Sequence, residues 1–142
     1  MQGVALSTSA CDGHVVVALH GELDVANAAE AEAAITALVA QDQYLVIDMS
    51  TLDFIDCNSL GALLRARELT RYGGGDMVLV APQPYPRRLL VLTGQDEVSC
   101  VQASVAAAVA SIARRQRRYP WRRLAVRTAR LGRAAPSRTG TG

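Results

Sequence analysis

Lysine is absent from this 142-residue chain, and all 15 of its basic side chains are arginine. A GC-rich coding sequence accounts for that bias more simply than selection for bidentate phosphate contacts. Aromatic residues are almost as scarce, at one Phe, one Trp and four Tyr. Because half of the residues are apolar, the core must be assembled from Val, Leu, Ile and Ala, a composition suited to an α/β domain. The three cysteines, Cys11, Cys57 and Cys100, form no CxxC pair, and only His14 and His20 could join them. That spacing excludes a zinc staple or a disulfide framework and predicts reduced thiols, with neither metal nor cofactor. No apolar run approaches the roughly 18 to 20 residues of a membrane span, and the first residues lack the basic and long apolar segments of a secretory signal. The expectation is a cytoplasmic protein.

The formal net charge of +2 hides a partition. Residues 1–113 hold all 13 acidic side chains against five arginines, giving −8, whereas residues 114–142 hold ten arginines and no acid, giving +10. This asymmetry predicts one acidic domain over 1–113 and an Arg-rich, flexible tail over 114–142.

Within the acidic part, residues 4–10 and 14–19 predict two strands joined by a Cys-Asp-Gly turn. Residues 25–40 are rich in helix formers, and Asp24 stands where an N-cap belongs. Residues 44–49 form an apolar run too short for a helix, as in a strand buried on both faces, and residues 50–56 are expected to be a loop. Residues 60–72 predict an amphipathic helix with Leu60, Leu63, Leu64 and Leu69 on one side and Arg65, Arg67, Glu68 and Arg71 mostly on another, stopped by Gly73-Gly74-Gly75. A buried strand over 77–81, a short helix over 87–93, an edge strand over 98–101 and an Ala-rich helix over 103–113, capped by Gln102 or Ser104, complete the pattern. Alternation of this kind predicts a small mixed β-sheet of four to five strands covered by about four helices.

The segment Asp56-Cys57-Asn58-Ser59-Leu60-Gly61 places Asp, Asn and Ser at the start of the second long helix. The first turn of a helix exposes unpaired N–H groups and a positive dipole end, so this place suits either plain capping or a phosphate. Together with Gly21-Glu22-Leu23-Asp24 and Arg87-Arg88-Leu89-Leu90-Val91-Leu92-Thr93-Gly94, the segment resembles the sulfate transporter and anti-sigma factor antagonist (STAS) domain, over residues 4–112. The resemblance implies the STAS fold and a partner-switching role, in which the antagonist binds an anti-sigma factor of serine-kinase type and frees a sigma factor.

In that family the motif is of Asp-Ser-Ser-Gly-Leu-Gly type, and the anti-sigma factor phosphorylates the second Ser. Aligned on Asp56, Leu60 and Gly61, Cys57 takes the first Ser, Asn58 the phosphoacceptor and Ser59 the Gly. Asn carries no nucleophilic hydroxyl, and it neither repels acids nor recruits arginines as a phosphate of about −1.5 to −2 charge does. Two consequences compete: a protein locked in its binding-competent form, or phosphorylation of Ser59, whose side chain is turned by roughly 100° on the helix. Asp24 and Asp56 are expected to cap and to touch the partner. Cys57 lies where a helix start favours a reactive thiol, although Cys is also a conservative filler for a small Ser. Neither acid has a catalytic partner at a supporting spacing, so the chain is not expected to be an enzyme.

Wound at helical pitch, residues 121–133 gather Trp121, Leu124 and Leu131 on one side and the arginines on the other. Arg117, Arg118, Arg122, Arg123, Arg127 and Arg130 are the candidates for contact with an anionic membrane surface or nucleic acid. A second reading therefore stays open, a ligand-sensing or scaffolding STAS protein that binds a small anion or nucleotide and is tethered by its basic tail.

Overall fold

The computed structural model describes residues 3–11, 14–40, 43–95 and 101–118. Two strands, β1 (Val4–Cys11) and β2 (His14–Leu23), form the expected antiparallel pair. After α1 (Ala28–Thr36) come β3 (Tyr44–Ile55), α2 (Cys57–Tyr72), β4 (Asp76–Val80), α3 (Pro84–Leu92), β5 (Val101–Gln102) and α4 (Val105–Arg118). The sheet order is β1-β2-β3-β4-β5, with every pair after the first parallel. Helical crossovers connect the parallel strands, as parallel pairing requires.

Two apolar layers hold the helices to the sheet. Leu19, Leu45, Ile47 and Met49 meet Ala31 and Ile35 of α1, Leu63 and Ala66 of α2, and Leu90 of α3. On the opposite face Tyr44, Val46, Val78 and Val80 meet Ala108 and Ile112 of α4. The central strands are buried on both faces, which explains the unbroken apolar runs that mark them in the sequence.

Several boundaries differ from the sequence expectation. The supposed loop over residues 50–56 is mostly strand, because Leu52, Phe54 and Ile55 of β3 continue to pair with Gly21, Glu22 and Leu23 of β2 across two register shifts. Pairing with a neighbour supplies ladder hydrogen bonds that a polar, turn-like composition does not announce. Gly21 stands at the second of these shifts with a φ of +97°, and on its other side a Cβ there would lie 2.3 Å from the Gly3 carbonyl oxygen just before β1. Helix α1 is shorter than residues 25–40, whereas α2 starts three residues before Leu60. Helix α3 begins at Pro84, a residue well suited to a first helical position. Ser104 caps α4 by accepting the Ala107 N–H at 3.1 Å, while Gln102 belongs to β5. Helix α4 continues to Arg118, past the Ala113 boundary. Of the expected edge strand, residues 98–100 lie outside the described residues, and β5 occupies Val101–Gln102.

Arg67 is also misplaced by simple periodicity. Expected on the polar side of α2, it is buried, with its Nε 3.1 Å from Oδ1 of Asp76 at the start of β4. Leu69, assigned to the apolar side, is half-exposed. The exchange follows from what α2 faces at its C-terminal end, where a carboxylate rather than an apolar surface receives the side chain.

Candidate functional site

Asp56 joins two of the three segments that the sequence singled out, those at residues 21–24 and 56–61. It is the N-cap of α2, with an extended backbone at φ −97° and ψ 172°. One carboxylate oxygen accepts the Ser59 N–H at 2.7 Å and the other accepts the Val25 N–H at 3.0 Å. Its own N–H donates to the Leu23 carbonyl at 3.3 Å. A single side chain thus closes the first turn of α2 and pins the β2–α1 connection to it. Partial burial pushes the Asp56 carboxyl up, but the Ser59 hydroxyl nearby and the N–H groups of Ser59 and Val25 lower it by more. The outcome is a carboxyl held below the usual aspartate value and ionised.

The β2–α1 connection is fixed from within as well. The Ala26 N–H donates to Oδ1 of Asp24 at 3.0 Å, and the Asp24 N–H donates to Oδ1 of Asn27 at 2.9 Å. Nδ2 of Asn27 returns to the Glu22 carbonyl at 2.9 Å. Asp24 is therefore not the N-cap of the first helix. That position belongs to Asn27, which makes no side-chain capping bond, and Asp24 instead organises a turn over residues 25–27. Asn27 was absent from the sequence-level candidates, although a turn-forming Asn three residues after an Asp was the available signal. Val25 was missed too, and its side chain is 72% exposed.

On α2, Cys57 and Asn58 are exposed in the first turn, and the Cys57 thiol is free. The Asn58 side chain makes no hydrogen bond among the described residues. Ser59, one position on, is completely buried. Its hydroxyl stands near the Asp56 carboxylate but forms no hydrogen bond of proper geometry with any described group. Asp56, Cys57, Asn58 and Ser59 are thus brought together with Asp24, through the contact of Asp56 with Val25. Arg117, Arg118, Arg122, Arg123, Arg127 and Arg130 have side chains outside the described residues, as has Cys100. Among the described residues no three His, Cys, Asp or Glu side chains converge as metal ligands, and no helix is long and apolar enough to cross a membrane.

The start of α2 thus presents an exposed Asn58 beside carboxylates that are committed to main-chain donors. The profile of the STAS domain matches residues 6–108. BtrV of Bordetella bronchiseptica, named for an anti-sigma factor antagonist role, is 29% identical over 107 residues, which span 75% of this chain and 92% of that protein. The crystal structure of an anti-sigma factor antagonist from Mycobacterium paratuberculosis superposes with a TM-score of 0.70 at 31% identity, over 78% of this chain and 94% of that one. The Bacillus cell fate determinant SpoIIAA in its phosphorylated form matches in fold, with a TM-score of 0.61 at 22% identity, over 76% of this chain and 99% of that one. With its mixed five-stranded sheet, its four helices among the described residues and this match over most of its length, the chain belongs to the STAS domain family.

Proposed function

We propose that this protein is a partner-switching regulator of the anti-sigma factor antagonist type, a binding module that engages an anti-sigma factor of serine-kinase type and thereby frees a sigma factor. Its distinguishing property is that the usual phosphorylation cannot switch it off. The observation that carries this reading is the pairing of an exposed Asn58 at the acceptor position with a Ser59 of zero exposure. Phosphoryl transfer needs a hydroxyl that can reach the γ-phosphate in line. Asn58 has none, and Ser59 would have to leave a packed site in the first turn of α2 to offer its own. A dianionic phosphate at position 59 would also meet the ionised Asp56 at close quarters. Burial therefore favours the locked form over Ser59 as a substitute acceptor.

The decisive experiment incubates the wild type, Asn58→Ser and Ser59→Ala with the cognate kinase and radiolabelled ATP. Phosphate is expected on Asn58→Ser alone, together with loss of binding to the anti-sigma factor. Label on the wild type that disappears in Ser59→Ala would overturn the locked form. The Arg-rich segment adds a separate expectation: binding to acidic vesicles or nucleic acid that weakens steeply with salt, as counterion release dictates.

A further inference from the structure

We infer that the partner-binding surface continues from the start of α2 onto the stacked rings of Phe54 and Tyr85, where it receives a cationic side chain of the partner over the exposed face of Tyr85. This rests on the antagonist reading and adds to it a place and a chemistry. In a chain with six aromatic residues, two of them lie stacked here, with ring centroids 5.2 Å apart and planes inclined by 14°. Tyr85 nevertheless remains 48% exposed. Phe54 lies two residues before Asp56 on β3, so the stack stands at the same end of the sheet as Asn58.

The support of the ring is rigid. Tyr85 sits between Pro84 and Pro86 in the first turn of α3, where proline fixes the backbone. Just before it, Nε2 of Gln83 donates to the Ser50 carbonyl at 2.7 Å and to Oδ1 of Asp53 at 3.2 Å. A half-exposed aromatic held in this way loses little freedom on binding, which is the property of an interface anchor.

Charge specifies the occupant. Glu22 lies opposite Phe54 in the β2–β3 register, and Asp24, Asp53 and Asp56 crowd the same end. The ion pairs among the described residues engage Glu32, Glu68 and Asp76, and none engages these four acids. Arg87 and Arg88, two and three residues after Tyr85 on α3, line a shallow cleft with Pro82, Pro84 and Val91, a lining that does not include Tyr85. A half-exposed tyrosine ring at the end of the sheet that also holds four acids outside any ion pair among the described residues matches a guanidinium or ammonium group, through cation–π attraction and pairing with a nearby carboxylate.

The test measures binding of purified serine-kinase-type anti-sigma factors from the native host to the full chain by calorimetry, with thermal unfolding as the control for folding. Tyr85→Ala is expected to weaken binding about tenfold or more, and Tyr85→Phe to stay within about threefold of the wild type. Tyr85→Arg, which keeps a flat group over Phe54 but repels a cation, is expected to lose at least as much as Tyr85→Ala. Unchanged affinity in both Tyr85→Ala and Tyr85→Arg, with a wild type that binds, overturns this inference alone. A wild type that binds none of these kinases overturns the antagonist reading, and this inference with it.

Discussion

The two ends of α2 solve opposite problems. At its start one carboxylate, Asp56, binds main-chain N–H groups of two elements, and the side chains on the outside of the turn, Cys57 and Asn58, are left to solvent. Toward its other end the buried Arg67 meets Asp76, and Asp76 is also approached by Nη1 of Arg115 from α4 at 3.5 Å. There the charges cross-link α2, β4 and α4 and offer little to a partner. A carboxylate spent on backbone donors organises a surface, whereas one spent on arginines fastens layers together. Both are acids on the same helix or beside it, and only their partners distinguish them.

Breaking the fastening end should have the largest effect on stability. Arg67→Ala leaves Asp76 buried with its main partner gone, and a loss of about 3 to 5 kcal/mol is expected in urea denaturation, with m unchanged. A loss below about 1 kcal/mol would mean that Arg115 or water replaces the guanidinium.

Breaking the presenting end should cost less and act more locally. Asp56→Ala is expected to lose about 1 to 2 kcal/mol as a removed N-cap. Hydrogen exchange should show the Val25 amide losing protection, while amides in β4 keep theirs. The carboxyl of Asp56 is held low in the folded state, so its stabilisation is complete above the unfolded-state value. It is lost as pH falls through the folded value, below about pH 4. Asp56→Asn, which retains a good capping side chain, should flatten that part of the pH profile without a large loss at neutral pH.

The smallest effect sharpens the comparison from the other direction. Ser59→Ala removes a buried hydroxyl that makes no hydrogen bond of proper geometry among the described residues, and a gain of about 1 kcal/mol in chemical denaturation is expected. A loss of similar size would mean that the hydroxyl is satisfied in solution, by Asp56 or by water.

The parallel core of the fold was legible because β3 and β4 announce themselves as apolar runs and the stretch ending at Gly73 shows helical periodicity. The later half of β3 was not, since Ser50 and Asp53 carry turn chemistry locally and only pairing of this stretch with β2 makes a strand of it. Arg67 was assigned to the wrong side of α2 because periodicity counts polarity and cannot see that Asp76, nine residues on, folds back to meet it. At the site, the motif residues from Asp56 to Ser59 were legible by type and spacing. Their division of labour was not, because Asn58 and Ser59 are adjacent and equally polar, and only the packing of the first turn buries one and exposes the other.

The bonds at the start of α2 run from main-chain groups to Asp56, and the side chain of residue 58 takes no part in them. Folding therefore imposes almost no demand on that position. A lineage can exchange a hydroxyl for an amide there, or restore it, without disturbing the scaffold that presents it. On the proposed antagonist reading, whether such a protein answers to a kinase becomes a setting that one substitution can alter without cost to the fold.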